Sequence, residues 1–152
     1  MKKPLLLLTA LAVSASGAAI AQDLEGAINA RKGQFRIMAY NLGVLGGMAK
    51  GEIDYDQATA QAAADNLVAV SSLNQMVHWP AGTDNVARQD TRALPKIWDN
   101  LDDVVAKWNA FGTAATGMQA AAGDGAQAIG GAIGAVGGTC KACHDAYRGP
   151  RL

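Results

Sequence analysis

Ile129-Gly130-Gly131-Ala132-Ile133-Gly134-Ala135-Val136-Gly137-Gly138-Thr139-Cys140-Lys141-Ala142-Cys143-His144-Asp145-Ala146-Tyr147 is the stretch on which the fold turns. Ile129, Ile133, Val136, Cys140, Cys143 and Tyr147 recur in steps of four and three, which is one face of a helix. Cys140, Cys143 and His144 spell C-x-x-C-H, the attachment pattern of a c-type haem. Each thiol can add to one vinyl group, which brings the His144 imidazole under the iron. These are the only two cysteines among 152 residues, so there is no disulfide framework. A zinc site needs about four ligands, and the only other histidine is His78. A thioredoxin-like thiol pair needs a βαβ setting, which is absent. Both thiols lie on the apolar stripe, so the haem is expected to enter between helices rather than hang on the surface.

Three more stripes lie upstream. Leu24, Ile28, Arg31, Phe35, Met38, Leu42 and Leu45 share one helical face, with Asp23 as N-cap and Lys50-Gly51 as the stop. A second helix is expected from Asp54, with Gln57 three residues on as in a capping box. Leu67, Val70, Leu73 and Val77 mark its buried face. Trp79-Pro80 ends it, because the residue before proline avoids the helical region. Pro80 to Leu94 reads as a long loop, and Pro95 suits the first turn of a third helix. That helix carries Ile97, Leu101, Val104, Trp108, Phe111, Ala115, Met118 and Ala122 on one face, and Gly123 ends it. Asp124 with Gln127 repeats the capping pattern before the fourth helix. Four helices of about 24 to 28 residues are each about 36 to 42 Å long. The sequence therefore predicts an all-α, antiparallel up-down-up-down four-helix bundle with one covalently bound haem c per chain.

Lys2 and Lys3, the apolar run Leu5–Val13 and the small residues of Ala19-Ile20-Ala21 read as a secretory signal peptide over residues 1–21. It is too short and wrongly flanked for a membrane span. The remaining 22–152 (152 less 21, or 131 residues) is one domain. Leader and haem motif agree on the periplasm. The 13 basic and 13 acidic residues balance, and losing Lys2 and Lys3 leaves a net charge of about −2. There is no basic tract, which argues against nucleic acid and against docking to an anionic membrane. No later stretch is long and apolar enough for a membrane span. Gly130, Gly131, Gly134, Gly137 and Gly138 each cost about 1 kcal/mol inside a helix. Close backbone approach and packing on the haem are expected to offset that. Gly43, Gly46 and Gly47 allow close helix crossing, either inside the monomer or in a homodimer.

Arg31 sits on an apolar stripe, where an arginine is costly without a partner. A haem propionate is a suitable bidentate partner; the alternative is a stem laid along the core with its head in water. Arg148 lies in a last helical turn, where the dipole favours a cation. His78 reads as an ordinary, partly exposed histidine. Phe35 reads as a core aromatic. Among the methionines only Met38, one turn from Phe35, is placed to approach the iron, although methionines usually fill core gaps.

The leader, the four helices and the C-terminal C-x-x-C-H resemble the cytochromes c′, the class II c-type cytochromes, over essentially the whole chain after the leader. Asp145-Ala146-Tyr147-Arg148, Arg31 with Phe35, Pro80-Ala81-Gly82-Thr83 and Ile97-Trp98 after Pro95 carry the same resemblance. It implies the up-down bundle known for that family and a five-coordinate haem with His144 proximal. Phe35 then matches the apolar residue over the distal face. Lys32 and Thr91 match positions that contact haem, and Arg148 stands near the proximal side. The family association is with NO and sometimes CO as ligands and with a debated electron-transfer role; no distal acid-base residue is visible in the sequence, so an enzyme that turns over NO or peroxide is not expected. The redox partner protein is unknown. Class II relatives with a distal methionine give the alternative, in which Met38 makes the chain a six-coordinate Met/His electron carrier.

Overall fold

The computed structural model describes residues 14–150, with side-chain surroundings from Leu24 onward. Lys2, Lys3 and the apolar run of the expected leader lie outside the described residues. Four helices, α1 (Ser14–Lys50), α2 (Gln57–Ser71), α3 (Leu101–Ala122) and α4 (Ala126–Tyr147), form the bundle. In it α1 packs on α2 and α4, and α3 packs on the same two. The α2–α3 connection is long and carries two 3-10 turns, Gln75–His78 and Pro95–Ile97. No described helix is long and apolar enough to cross a membrane.

Several boundaries differ from the sequence expectation. α1 runs through Asp23 rather than starting after it; the residues from Ser14 to Ala21 are mostly small, with four alanines favouring helix. α2 starts after Asp56, not at Asp54, because the Asp56 carboxylate accepts the Thr59 N–H at 2.8 Å. It stops at Ser71, so Leu73 and Val77 fall beyond it and are exposed rather than buried. The hydroxyls of Ser71 and Ser72 donate back to the carbonyls of Val68 and Ala69, both at 2.7 Å, a local alternative to helix continuation. Asn74 then accepts the Met76 N–H at 3.0 Å and opens the first 3-10 turn. Pro95 begins a separate 3-10 turn, and α3 starts only after Asn100, whose backbone is non-helical. Asp124 does not cap α4; Gly125 stands at that N-cap with φ +103°, a conformation that glycine adopts readily.

The apolar side chains form two clusters. The larger includes Leu45, Ala64, Leu67, Ala115, Met118, Ile129 and Val136, all with no exposed surface. The smaller gathers Ala93, Ile97, Val104 and Tyr147, with Trp79, Trp98 and Cys143 against them. Close approach is found at Gly47, where an added Cβ would lie 2.7 Å from Ile53 Cδ1. The α4 glycines behave otherwise. Only Gly130 has a neighbour, Ala49 Cβ at 3.9 Å, and nothing lies within 4 Å of a Cβ at Gly131, Gly134, Gly137 or Gly138. The expected backbone approach is absent there, and nothing in the packing explains those four residues.

Candidate haem-binding site

Between the two clusters lies a cavity of about 580 Å³, the size of a small-molecule site. α4 supplies one wall with Cys140, Cys143, His144 and Tyr147. α1 supplies Ile28, Phe35, Met38 and Leu42, and α3 supplies Val104, Trp108 and Phe111. The long connection closes the remaining side with Gln75, Trp79, Thr91 and Ile97.

The helical spacing of Cys140 and Cys143 puts both thiols on this wall, and both are free. Burial pushes each thiol's pKa up. His144 is pushed the other way, first by burial and then by the positive charges of Arg148 and Arg92. Its neutral imidazole is thus favoured, the form that ligates a metal. Arg148 Nη1 lies 3.5 Å from His144 Nε2. The cationic side chains of Arg31, Lys32, Arg92 and Arg148 also border the cavity. Two thiols and a neutral imidazole on one wall, mostly apolar side chains on the others and cations for two carboxylates match the chemistry of haem c. Among the described residues, no group of three or more His, Cys, Asp or Glu side chains is arranged to hold a bare metal ion.

Arg31 is only 3 % exposed, so the alternative with its head in water is overturned. Its Nη1 donates to Thr83 Oγ1 at 2.8 Å and to His78 O at 3.2 Å; its Nη2 donates to Thr83 O at 2.9 Å. The guanidinium lies 4.4 Å over the Trp79 ring. Burial lowers its pKa to about 10, against an opposing pull from Asp90, and it stays charged at neutral pH. Lys32 Nζ is 4.0 Å from Asp90. Thr91 is buried on the cavity wall and accepts the Ala93 N–H at 3.2 Å.

Phe35 lines the cavity, with its ring edge-on to Trp108 at 6.2 Å. It is 38 % exposed, so it is not the core aromatic that its stripe implied. The stripe at this level faces the cavity rather than other side chains. Met38, 7 % exposed, lines the same cavity. His78 is half-buried at the end of the first 3-10 turn, as expected.

Sequence reasoning missed two polar pairs beside the cavity. Tyr147 donates its hydroxyl to Asp103 Oδ2 at 2.6 Å, and Lys107 Nζ lies 3.3 Å from Asp103 Oδ1. Gln34 and Gln75, each 4 % exposed, exchange amide hydrogen bonds of 3.0 and 3.2 Å. Gln75 carried no signal in the chain, because the expected α2 register gave it no inward role. Asp103 and Tyr147 are 44 positions apart, and only the α3–α4 crossing brings them together.

Residues 26–148 match the family model described as Cytochrome C′. A cytochrome c′ of Cereibacter sphaeroides is 40 % identical over 142 residues, 93 % of this chain and 95 % of that protein. The solved cytochrome c′ of Rhodobacter sphaeroides has 40 % identity and a TM-score of 0.79, covering 84 % of this chain and 98 % of that one. The cytochrome c prime of Alcaligenes xylosoxidans, solved as a ferrous variant with bound NO, has 31 % identity and a TM-score of 0.71. That match covers 84 % of this chain and 97 % of that one.

Proposed function

The chain belongs to the cytochrome c′ family of covalent haem proteins, and from that premise we propose a periplasmic gas-binding protein. In this reading His144 would be the only residue of the chain to bind the iron, which would leave it able to take NO or CO. One observation carries it. The α1 residues that line the cavity, Ile28, Phe35, Met38, Ala39 and Leu42 with the cations Arg31 and Lys32, include no imidazole or carboxylate, and Met38 supplies the one thioether. Bound haem supplies an iron that changes charge by one electron and a free coordination position. The bound NO of the Alcaligenes xylosoxidans relative supports the same ligand class here.

The chain's own residues then have distinct tasks. Cys140 and Cys143 fix the macrocycle by thioether bonds, and His144 presents a neutral ring nitrogen. Arg31 has five N–H donors and makes three bonds to the 78–83 segment. The remainder, with Lys32 and Thr91, receive the propionates. Phe35 and Met38 exclude water from the distal face, so only small uncharged ligands enter. No imidazole or carboxylate of α1 stands on that wall to move a proton, and Lys32 is assigned to a propionate, so the protein is read as binding and carrying rather than turning over. Arg148 holds its charge beside the proximal imidazole. Ile37 and Tyr40, 49 % and 74 % exposed on α1, are the surface offered for a homodimer.

Stopped-flow mixing of ferrous protein with CO and NO tests this. Phe35→Ala should speed association and admit water to the ferric iron. Unchanged rates would move the distal role to Met38. That second reading, Met38 as sixth ligand in an electron carrier, rests on Met38 lying buried in the same wall.

A further inference from the structure

We propose that Gln34 is a specificity residue of this site: by closing onto Gln75, it keeps a buried amide from donating to a ligand on the iron. The proposal rests on the gas-binding reading and adds the device that sets which gas is favoured.

Several donors that border the cavity bond to protein acceptors, whereas Trp79 Nε1 is buried in its lining without one, beside the Arg31 head that is assigned to the propionates. Arg31 Nη1 donates to Thr83 Oγ1 and His78 O and Nη2 to Thr83 O, and its remaining N–H groups are those assigned to the propionates. Trp108 donates its indole N–H to Ser71 O at 2.8 Å. Gln75 is the uncharged case that matters most, since it lines the cavity, carries an –NH₂ group and is 4 % exposed. Its amide nitrogen donates to Gln34 Oε1 at 3.2 Å and to Leu73 O at 3.2 Å, which uses both hydrogens. Its oxygen accepts from Gln34 Nε2 at 3.0 Å. The reciprocal pair, with Leu73 O, meets every hydrogen of the Gln75 amide, the usual condition for burying such a group, while Gln34 Nε2 donates one bond.

The distal hydrogen-bond donors of a haem pocket decide whether O₂ is stabilised. O₂ on ferrous iron gathers negative charge on its outer oxygen and gains from a donor; CO and NO gain little. A free amide at Gln75 would therefore favour O₂, and a water on ferric iron, over NO. Leucine at position 34 removes both of Gln75's partners on α1. A buried amide left unsatisfied is costly, and the cavity is the open direction in which it can turn.

The test is the C–O stretch of the ferrous CO complex, measured by infrared spectroscopy on the full holoprotein. The native band should be single and unmoved in D₂O, since no exchangeable donor reaches the ligand. Gln34→Leu should shift the band to lower wavenumber, because a donor now polarises the bound CO. Gln34→Leu with Gln75→Leu should restore the native band. An unmoved band in a Gln34→Leu protein of native haem spectrum overturns the proposal, and so does a double variant that stays shifted. Should Gln34→Leu fail to fold, a native band that shifts in D₂O overturns it equally, because a donor would already be in place. A native protein that takes up no CO defeats the gas-binding reading instead.

Discussion

The two ends of the bundle are built from the same stripes and end differently. At one end, residues from all four helices meet one another with no surface left over. At the other, α1, α3 and α4 continue their apolar faces but stand apart around about 580 Å³. The cause is α2. It has 15 residues against 22 in α3 and in α4, and the connection from Ser72 to Asn100 takes its place beside the cavity. Periodicity says which face points inward. It does not say whether opposing faces touch, and here one end needs a cofactor to complete its core.

The largest break in this comparison comes from removing the attachment. Cys140→Ser with Cys143→Ser should abolish covalent haem and lower both helicity and thermal midpoint, because a group bound only by the folded state stabilises it. Hydrogen exchange should show protection lost first in 139–147 and 79–94, and last around Leu67 and Met118. Equal protection at both ends, with near-native circular dichroism, would show that the cavity end stands without haem.

Leu67→Ala strikes the closed end. Leu67 is fully buried, and a leucine-to-alanine cavity typically costs about 2–5 kcal/mol. The haem spectrum should stay as it was, since the change is remote from the cavity lining. Thr83→Val strikes the open end more gently. It removes the hydroxyl that accepts from Arg31 and donates to Pro80 O at 2.7 Å. Leaving a buried guanidinium short of one partner should cost about 1–3 kcal/mol in chemical denaturation.

The smallest effect concerns Asp103 and Tyr147, which join α3 to α4 beside Cys143. The Tyr147 hydroxyl, then Lys107, holds the Asp103 carboxyl below its ordinary 3.8. A depressed carboxylate stabilises the fold above its unfolded value, and that contribution is lost as pH falls through the lower folded value. Asp103→Asn should flatten the acid limb of stability below about pH 4. Tyr147, raised from 10.0 to about 12 chiefly by its bond to Asp103, contributes below pH 10 and loses that contribution as pH rises through about 12. The same variant should weaken that alkaline loss. An unchanged acid limb would mean the bond does not form in solution.

The inward faces of α1, α3 and α4 were legible because their four-three spacing survives tertiary contact, as Ile28, Met118 and Val136 show. The haem motif was legible because thioether chemistry fixes both spacing and order. The end of α2 was not. Two serine hydroxyls and an Asn74 turn outcompete an apolar pattern that reads on through Leu73 and Val77. The arginine clasp was half visible, since Arg31 demanded a partner but Thr83, 52 residues away, is joined to it only by the fold. Gln34 and Gln75 lie 41 positions apart with nothing in the chain to pair them.

The central claim is that α1, Met38 included, supplies no ligand to the iron and leaves His144 as its only protein ligand. Resonance Raman spectroscopy of the ferrous holoprotein, native and Met38→Leu, tests it most directly. The account predicts a five-coordinate high-spin spectrum in both, because leucine replaces methionine with little change in volume. A low-spin six-coordinate native spectrum that becomes high-spin in Met38→Leu would contradict it.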